Sequence, residues 1–437
     1  MVIGIIIIVI YLLMSGLMVS KKMSTFLAMT IMACLFSVIS GEPVTGEYGL
    51  FTYVLPQGAV RLASTMMIVV FACWLGKMME KTGVTQTIIK KAAEFGGDKP
   101  LVCALAISVA CCLLFTTLNG TGAVTLVGTI VLPILLSIGL SPIVAASAYL
   151  CTYGIGSFFN PVWLGVFLEL TGCERQDALL CSGIMAGISA AALLLYLVLS
   201  LKKAGKKYAF AAPAEEEAPK APSTPTLHGV RGFLACMVPV VVLACTFFIK
   251  ADLLVVLLIG IIWLAIFTFK GGWTKYMNMV SKAVVEGWET AAPTCTLMMA
   301  VGFLVAVLGT PKVSEAIIPV VSPVLPTNLI GLIIFICLLA PLSCYRGIFN
   351  PWGMGAGLAT VFLAHGTFSI PVYFAFFWIA GRWCNIHDPA STQCIWAANF
   401  AGTDMPTVFK KQLVWDWAIA IICAAVILPI YMALFPL

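Results

Sequence analysis

Three charged residues sit in stretches of this sequence that are otherwise apolar. Arg346, Arg382 and Asp388 lie where long hydrophobic runs are interrupted by Gly, Pro and Asn. A charge at membrane depth is expensive and marks a functional site by default. An arginine there offers a permanently charged planar fork that fits a carboxylate. The alternative is that Arg382 and Asp388 pair with each other and only stabilise the interruption. His387 adds a group able to titrate near neutral pH, and Glu169 in the run WLGVFLEL is a second carboxylate suited to a coupling proton.

Uncharged polar residues cluster at the same kind of interruption. Asn119-Gly120-Thr121-Gly122 separates two apolar runs, and Asn160-Pro161 and Asn350-Pro351 break two others. Ser391, Thr392 and Gln393 follow Asp388-Pro389 where an apolar run resumes. Such residues either cap a resumed helix or turn donors and carbonyls toward a ligand. Glycine lets backbone approach a ligand closely, which makes Gly120, Gly122, Gly154 and Gly156 candidates for that contact. The expected substrate-binding set is Asn119, Gly120, Thr121, Gly122, Asn160, Arg346, Asn350, Ser391 and Thr392. The expected coupling set is Asn119, Asn160, Asp388, His387 and Glu169.

The elements that must hold these residues are membrane helices. The chain has 437 residues, of which 62% are hydrophobic and 10% charged, whereas a soluble domain carries roughly 25% charged residues. Apolar runs recur along its whole length, several near the roughly 20 residues that span a bilayer. Residues 202–231 differ: six Lys or Arg, three consecutive Glu and four Pro make a polar linker between two halves. The sixteen cysteines never occur as CxxC and lie mostly in apolar runs, so neither disulfides nor a metal site is expected. The net charge of +6 needs no nucleic-acid partner. The N-terminal run at 2–19 has no basic leader and reads as a retained helix.

The halves are related. A shift of 229 residues carries Val84 onto Val313, Ile88-Ile89 onto Ile317-Ile318, Gly128 onto Gly357 and Pro142 onto Pro371. It also brings Asn160-Pro161 within one residue of Asp388-Pro389. Basic residues at Lys21-Lys22, 77–99, 202–231 and Lys270 to Lys282 place those loops in the cytoplasm, and the acidic 41–58 loop faces outward. The halves, 1–201 and 232–437, are then inverted repeats, the recurring plan of secondary transporters. In each, one segment must enter and leave on the same side (101–139 and 328–366), and the next is a broken helix (142–171 and 370–400). The expected fold is all-α and polytopic, with about ten transmembrane helices plus two re-entrant hairpins.

On these residues the chain resembles the ion transporter superfamily, which includes the divalent-anion:sodium symporters, C4-dicarboxylate carriers, citrate–metal symporters and gluconate permeases. Leu118-Asn-Gly-Thr-Gly-Ala-Val-Thr125 is similar to the first hairpin tip of the C4-dicarboxylate and citrate carriers, and Lys21-Lys22-Met23-Ser24 to the opening of the citrate group. The resemblance implies a site lined by both tips and both broken helices, here at Asn119 to Thr121 and Asn350, and elevator-type alternating access. The expected activity is secondary transport of a small organic anion, a carboxylate, coupled to H⁺ or Na⁺ or by exchange. A cation/proton antiporter resting on Asp388 and Glu169 is the alternative. An enzyme is not expected: no HExxH, GKS/T loop or nucleophile elbow occurs. No cofactor is expected, and Na⁺ stands only as a candidate coupling ion. The expected partners are the anion and the lipid bilayer, with a homodimer compatible with the plan. The expected location is a prokaryotic plasma membrane.

Overall fold

A computed structural model of the chain describes residues 1–20, 22–97, 99–204, 227–249, 251–347, 349–350, 355–383 and 386–437, without the side chains of residues 19, 203, 204, 346, 382 and 383. Most of the 202–231 linker therefore lies outside the described residues, as do the side chains of Arg346 and Arg382. Among the described residues the fold is all-helical. Local signals set many helix starts. Pro100, Pro142, Pro161 and Pro311 occupy first-turn positions, where a missing N–H costs nothing. Asp252, Asn328 and Asp404 cap their helices by accepting from Leu254, Gly331 and Thr407 N–H groups at 2.7–2.9 Å.

Among the described residues, five helices are long and apolar enough to cross a membrane, or up to eight when each bent pair counts as one span. Further apolar runs form shorter helices, such as Thr25–Ile39 and Leu253–Thr268. Large apolar side chains including Leu13, Phe248, Ile330 and Val414 point outward, which a lipid-facing surface permits. The chain is thus a multi-pass membrane protein. The 77–99 segment, expected as a loop, folds for most of its length as helix Val84–Gly96. It buries Val84 and Ile89 and exposes Lys90 and Lys91.

Two bodies of helices share the core. In one, Trp273–Leu308 runs along Ala63–Lys81 and also packs on Thr25–Ile39 and Leu55–Val60. In the other, two helix pairs and two bent spans pack together with Arg175–Ala204 and Met405–Leu434. The first pair is Pro100–Phe115 with Gly120–Ser137, and the second is Leu329–Leu339 with Gly355–His365. The first bent span joins Pro142–Ser157 to Pro161–Thr171 at 55°. The second of these spans is interrupted between Ile370–Trp383 and Thr392–Phe400.

Glycine makes the crossing in the first body possible. A Cβ added at Gly302 would lie 2.1 Å from the Gly58 carbonyl oxygen, and one at Gly287 2.9 Å from Trp74 backbone. Small residues let membrane helices approach this closely. Gly302→Val is expected to destabilise the protein by about 1–3 kcal/mol through overpacking. Gly183→Ala, where a Cβ meets nothing within 4 Å, should be neutral. Thermal unfolding of both variants in detergent checks this, and equal melting points would refute it.

Candidate functional site

The two bodies enclose a cavity of about 480 Å³. The first helix pair contributes Asn119, Gly120, Thr121 and Gly122 to its wall, and the first bent span contributes Tyr153 and Trp163. Asn350 comes from the tip of the second pair, and Asp388 and Ala390 to Gln393 come from the second break. The opposite wall is Val69 and Cys73 on Ala63–Lys81, with Glu289, Thr290, Pro293 and Thr294 on Trp273–Leu308. Seven of the residues expected to bind substrate, Asn119, Gly120, Thr121, Gly122, Asn350, Ser391 and Thr392, therefore border one space.

The first tip leaves its helix end open. Asn119 is extended, with φ −143° and ψ 156°, and its side chain does not cap Gly120–Ser137. Its Oδ1 instead accepts from Tyr153 Oη at 3.3 Å and Trp163 Nε1 at 3.2 Å. Gly120 has φ +84°, a conformation that side chains rarely adopt. The Ser391 side chain likewise does not cap Thr392–Phe400. The two helix starts meet where the hydroxyls of Thr121 and Thr392 lie 2.8 Å apart. First-turn N–H groups lack intrahelical partners and carry the positive end of the helix dipole. Two such ends bordering one cavity make a setting that favours an anion.

The breaks themselves are tied down by two matched residues. Asn160 is fully buried. Its Nδ2 donates to the carbonyls of Phe115 at 3.0 Å and Leu118 at 3.1 Å, and its Oδ1 accepts from Val162 N–H at 3.0 Å. Asp388 Oδ1 accepts from the N–H groups of Tyr345 and Ala390, both at 2.9 Å. Each joins a bent span to the neighbouring helix pair. Tyr345, at the tip, is held at φ +55°, the one described non-glycine residue with positive φ.

Several expected contacts fall elsewhere. Asn160 does not border the cavity, because its amide is spent on the first pair and its own helix. Gly154 and Gly156 admit protein rather than ligand: a Cβ at Gly154 would strike Ile386, and one at Gly156 the Cys112 carbonyl. At Gly120 and Gly122, by contrast, no protein atom lies within 4 Å of an added Cβ, so both face open space at the cavity. Glu169 bonds to the Thr65 hydroxyl beside a separate cavity of about 430 Å³ lined also by Arg175 and Asp252. His387 is fully buried between Asp416 Oδ2, 2.7 Å from Nδ1, and the Ser147 carbonyl, 3.3 Å from Nε2. Asp416 is buried beside it. Both ring nitrogens thus have an oxygen partner.

Sequence reading missed Tyr153 and Trp163 as lining residues, and the whole opposite wall. A signal for that wall existed. Glu289 stands four residues before Pro293 at the edge of an apolar run. Among the described residues no group of three or more His, Cys, Asp or Glu could hold a metal ion.

No protein-family model matches the sequence, and the search of curated proteins found no match. Among solved structures the chain is similar to the YdaH transporter of Alcanivorax borkumensis, whose crystal structure reveals an unusual topology. The TM-score is 0.64 at 14% identity, over 94% of this chain and 98% of that one. At that identity the likeness is one of fold.

The buried contact of His387 with Asp416 generates a test. In a charged pair, removing one partner strands a charge, at a typical cost of about 3–5 kcal/mol, whereas replacing both with apolar residues is far milder. Asp416→Leu is therefore expected to lower the melting temperature more than the Asp416→Leu/His387→Leu double variant. The reverse order in thermal unfolding would show that the pair is not charged.

Proposed function

We propose that this chain is a secondary transporter of a small organic anion, one bearing a carboxylate. The observation that carries the reading is the meeting of two helix N-termini, from distant parts of the chain, at one cavity between two bodies. The carboxylate would sit against the N–H groups of Gly120–Ser137 and Thr392–Phe400, with Thr121, Thr392 and Asn350 as side-chain donors. The helix pairs would be re-entrant hairpins in inverted repeats spanning 1–201 and 232–437. Movement of their body against the Trp273–Leu308 scaffold would give elevator-type alternating access. Coupling to H⁺ or Na⁺, or exchange, completes the proposal, in a prokaryotic plasma membrane with the 202–231 linker cytoplasmic.

Cation/proton antiport is the second reading, supported by the carboxylates of Asp388 and Glu289 at the cavity. Asp388 favours it less, since two backbone N–H groups already occupy one of its oxygens.

Uptake of labelled mono- and dicarboxylates into proteoliposomes, under a sodium gradient, a proton gradient or counter-substrate alone, tests the proposal. Thr121→Val and Thr392→Val are each expected to raise the half-saturating concentration about ten-fold, the equivalent of ~1.4 kcal/mol, with reconstitution unchanged. Cation flux without carboxylate uptake would install the antiporter reading instead.

Arg346 supplies a second test from sequence alone. If it meets the substrate carboxylate, Arg346→Ala should weaken binding by about 2–5 kcal/mol, and Arg346→Lys should restore only part, since the ammonium lacks the planar fork. Normal uptake by Arg346→Ala would assign the arginine to a structural pair.

A further inference from the structure

Glu289 is a part of the cavity wall that an anion site does not explain. It stands on Trp273–Leu308, the helix of the opposing body, and borders the same space as Asn119, Thr121 and Thr392. Other acids nearby are engaged. Glu286, three residues earlier, pairs with Lys81 at 2.8 Å, and Asp388 accepts two backbone N–H groups. The Glu289 carboxylate has no hydrogen-bond or ion-pair partner among the described residues. Its backbone adds to the same character. The residue four positions on is Pro293, which has no N–H to offer the Glu289 carbonyl. Thr290 spends its hydroxyl on the Glu286 carbonyl at 2.8 Å and so gives the carboxylate nothing.

One wall of the cavity thus carries two positive helix ends, and the other carries Glu289, whose carboxylate is unpaired among the described residues. A molecule with a carboxylate at each end would set one of them against Glu289. A molecule with a carboxylate at one end and a cationic nitrogen at the other meets a complement at both. We propose that Glu289 forms a cation subsite and that the carried substrate is amphoteric, a small amino carboxylate whose ammonium group binds there. This rests on the anion reading of the two helix ends. About 480 Å³ is within the range of roughly 300–1,000 Å³ for small-molecule sites.

The test is calorimetric binding to purified protein in nanodiscs, with ω-amino carboxylates and α,ω-dicarboxylates of three to six carbons as matched probes, each in sodium and in choline buffer. The expected result is that the amino carboxylate of the best length binds about ten-fold tighter than the dicarboxylate of that length. Glu289→Gln should erase that preference by weakening the amino carboxylate, with the ligand-free melting temperature unchanged. The wild-type comparison needs no variant and decides the matter even where Glu289→Gln fails to fold. Equal or tighter dicarboxylate binding overturns the proposal. So does a preference that survives Glu289→Gln, or a variant that only strengthens the dicarboxylate, since Glu289 would then repel rather than bind. Dicarboxylate binding that needs sodium, and loses that need in Glu289→Gln, assigns the subsite to a free ion and also overturns it. Binding by neither series removes the anion reading, and this proposal with it.

Discussion

Backbone that leaves a helix inside a membrane must still find partners for its N–H and C=O groups, because lipid offers none. The rest of this structure depends on how that demand is met at the two bent spans. Asn160 and Asp388 do it at nearly equivalent positions of the two halves. The amide donates to the carbonyls that end Pro100–Phe115 and its tip, and the carboxylate accepts N–H groups at the second tip and at its own break. One residue type suits freed carbonyls and the other suits freed N–H groups. Each therefore fastens a break to the neighbouring tip, and the two tips are brought to one cavity.

That fastening has an electrostatic consequence. Since Asn160 and Asp388 satisfy other backbone groups, the first-turn N–H groups of Gly120–Ser137 and Thr392–Phe400 remain without side-chain caps at the cavity. Asn119, which ordinary capping preference would turn back onto its own helix, is held away by Tyr153 and Trp163. Uncapped helix ends in a partly dry space are a preorganised positive potential. The scaffold wall opposite carries the contrary sign at Glu289. A cavity polarised across its width selects orientation as well as charge, because a ligand placed backwards would set like against like.

A second buried device lies behind the site. His387, next to Asp388 in the chain, turns away from the cavity to Asp416 and the Ser147 carbonyl. Adjacent residues thus serve two tasks: Asp388 ties the break to the second tip, and His387 ties it to Met405–Leu434 and Pro142–Ser157. The break is thus held from three sides, by the second tip, by Met405–Leu434 and by Pro142–Ser157.

The sequence by itself determined the class of protein and the positions of the interruptions. Both signals are local or compositional: few charges over 437 residues, and Gly, Pro and Asn within apolar runs. The expected repeat rests on signals of the same kind, a constant shift of 229 residues along the chain. Only the tertiary structure decided which side of each interruption meets the cavity. Gly122 faces open space while Gly154 and Gly156 are pressed against protein. Asn350 borders the cavity while Asn160, also before a proline, is spent on carbonyls more than forty residues away. Asp416, in the last helix, is buried against a histidine 29 residues earlier in the chain. Glu289 looked like the margin of an apolar run and became the wall opposite the helix ends. In each case the deciding partner lies on a distant segment, and apolar runs of nearly uniform hydrophobicity carry no periodicity to say which face that segment will cover.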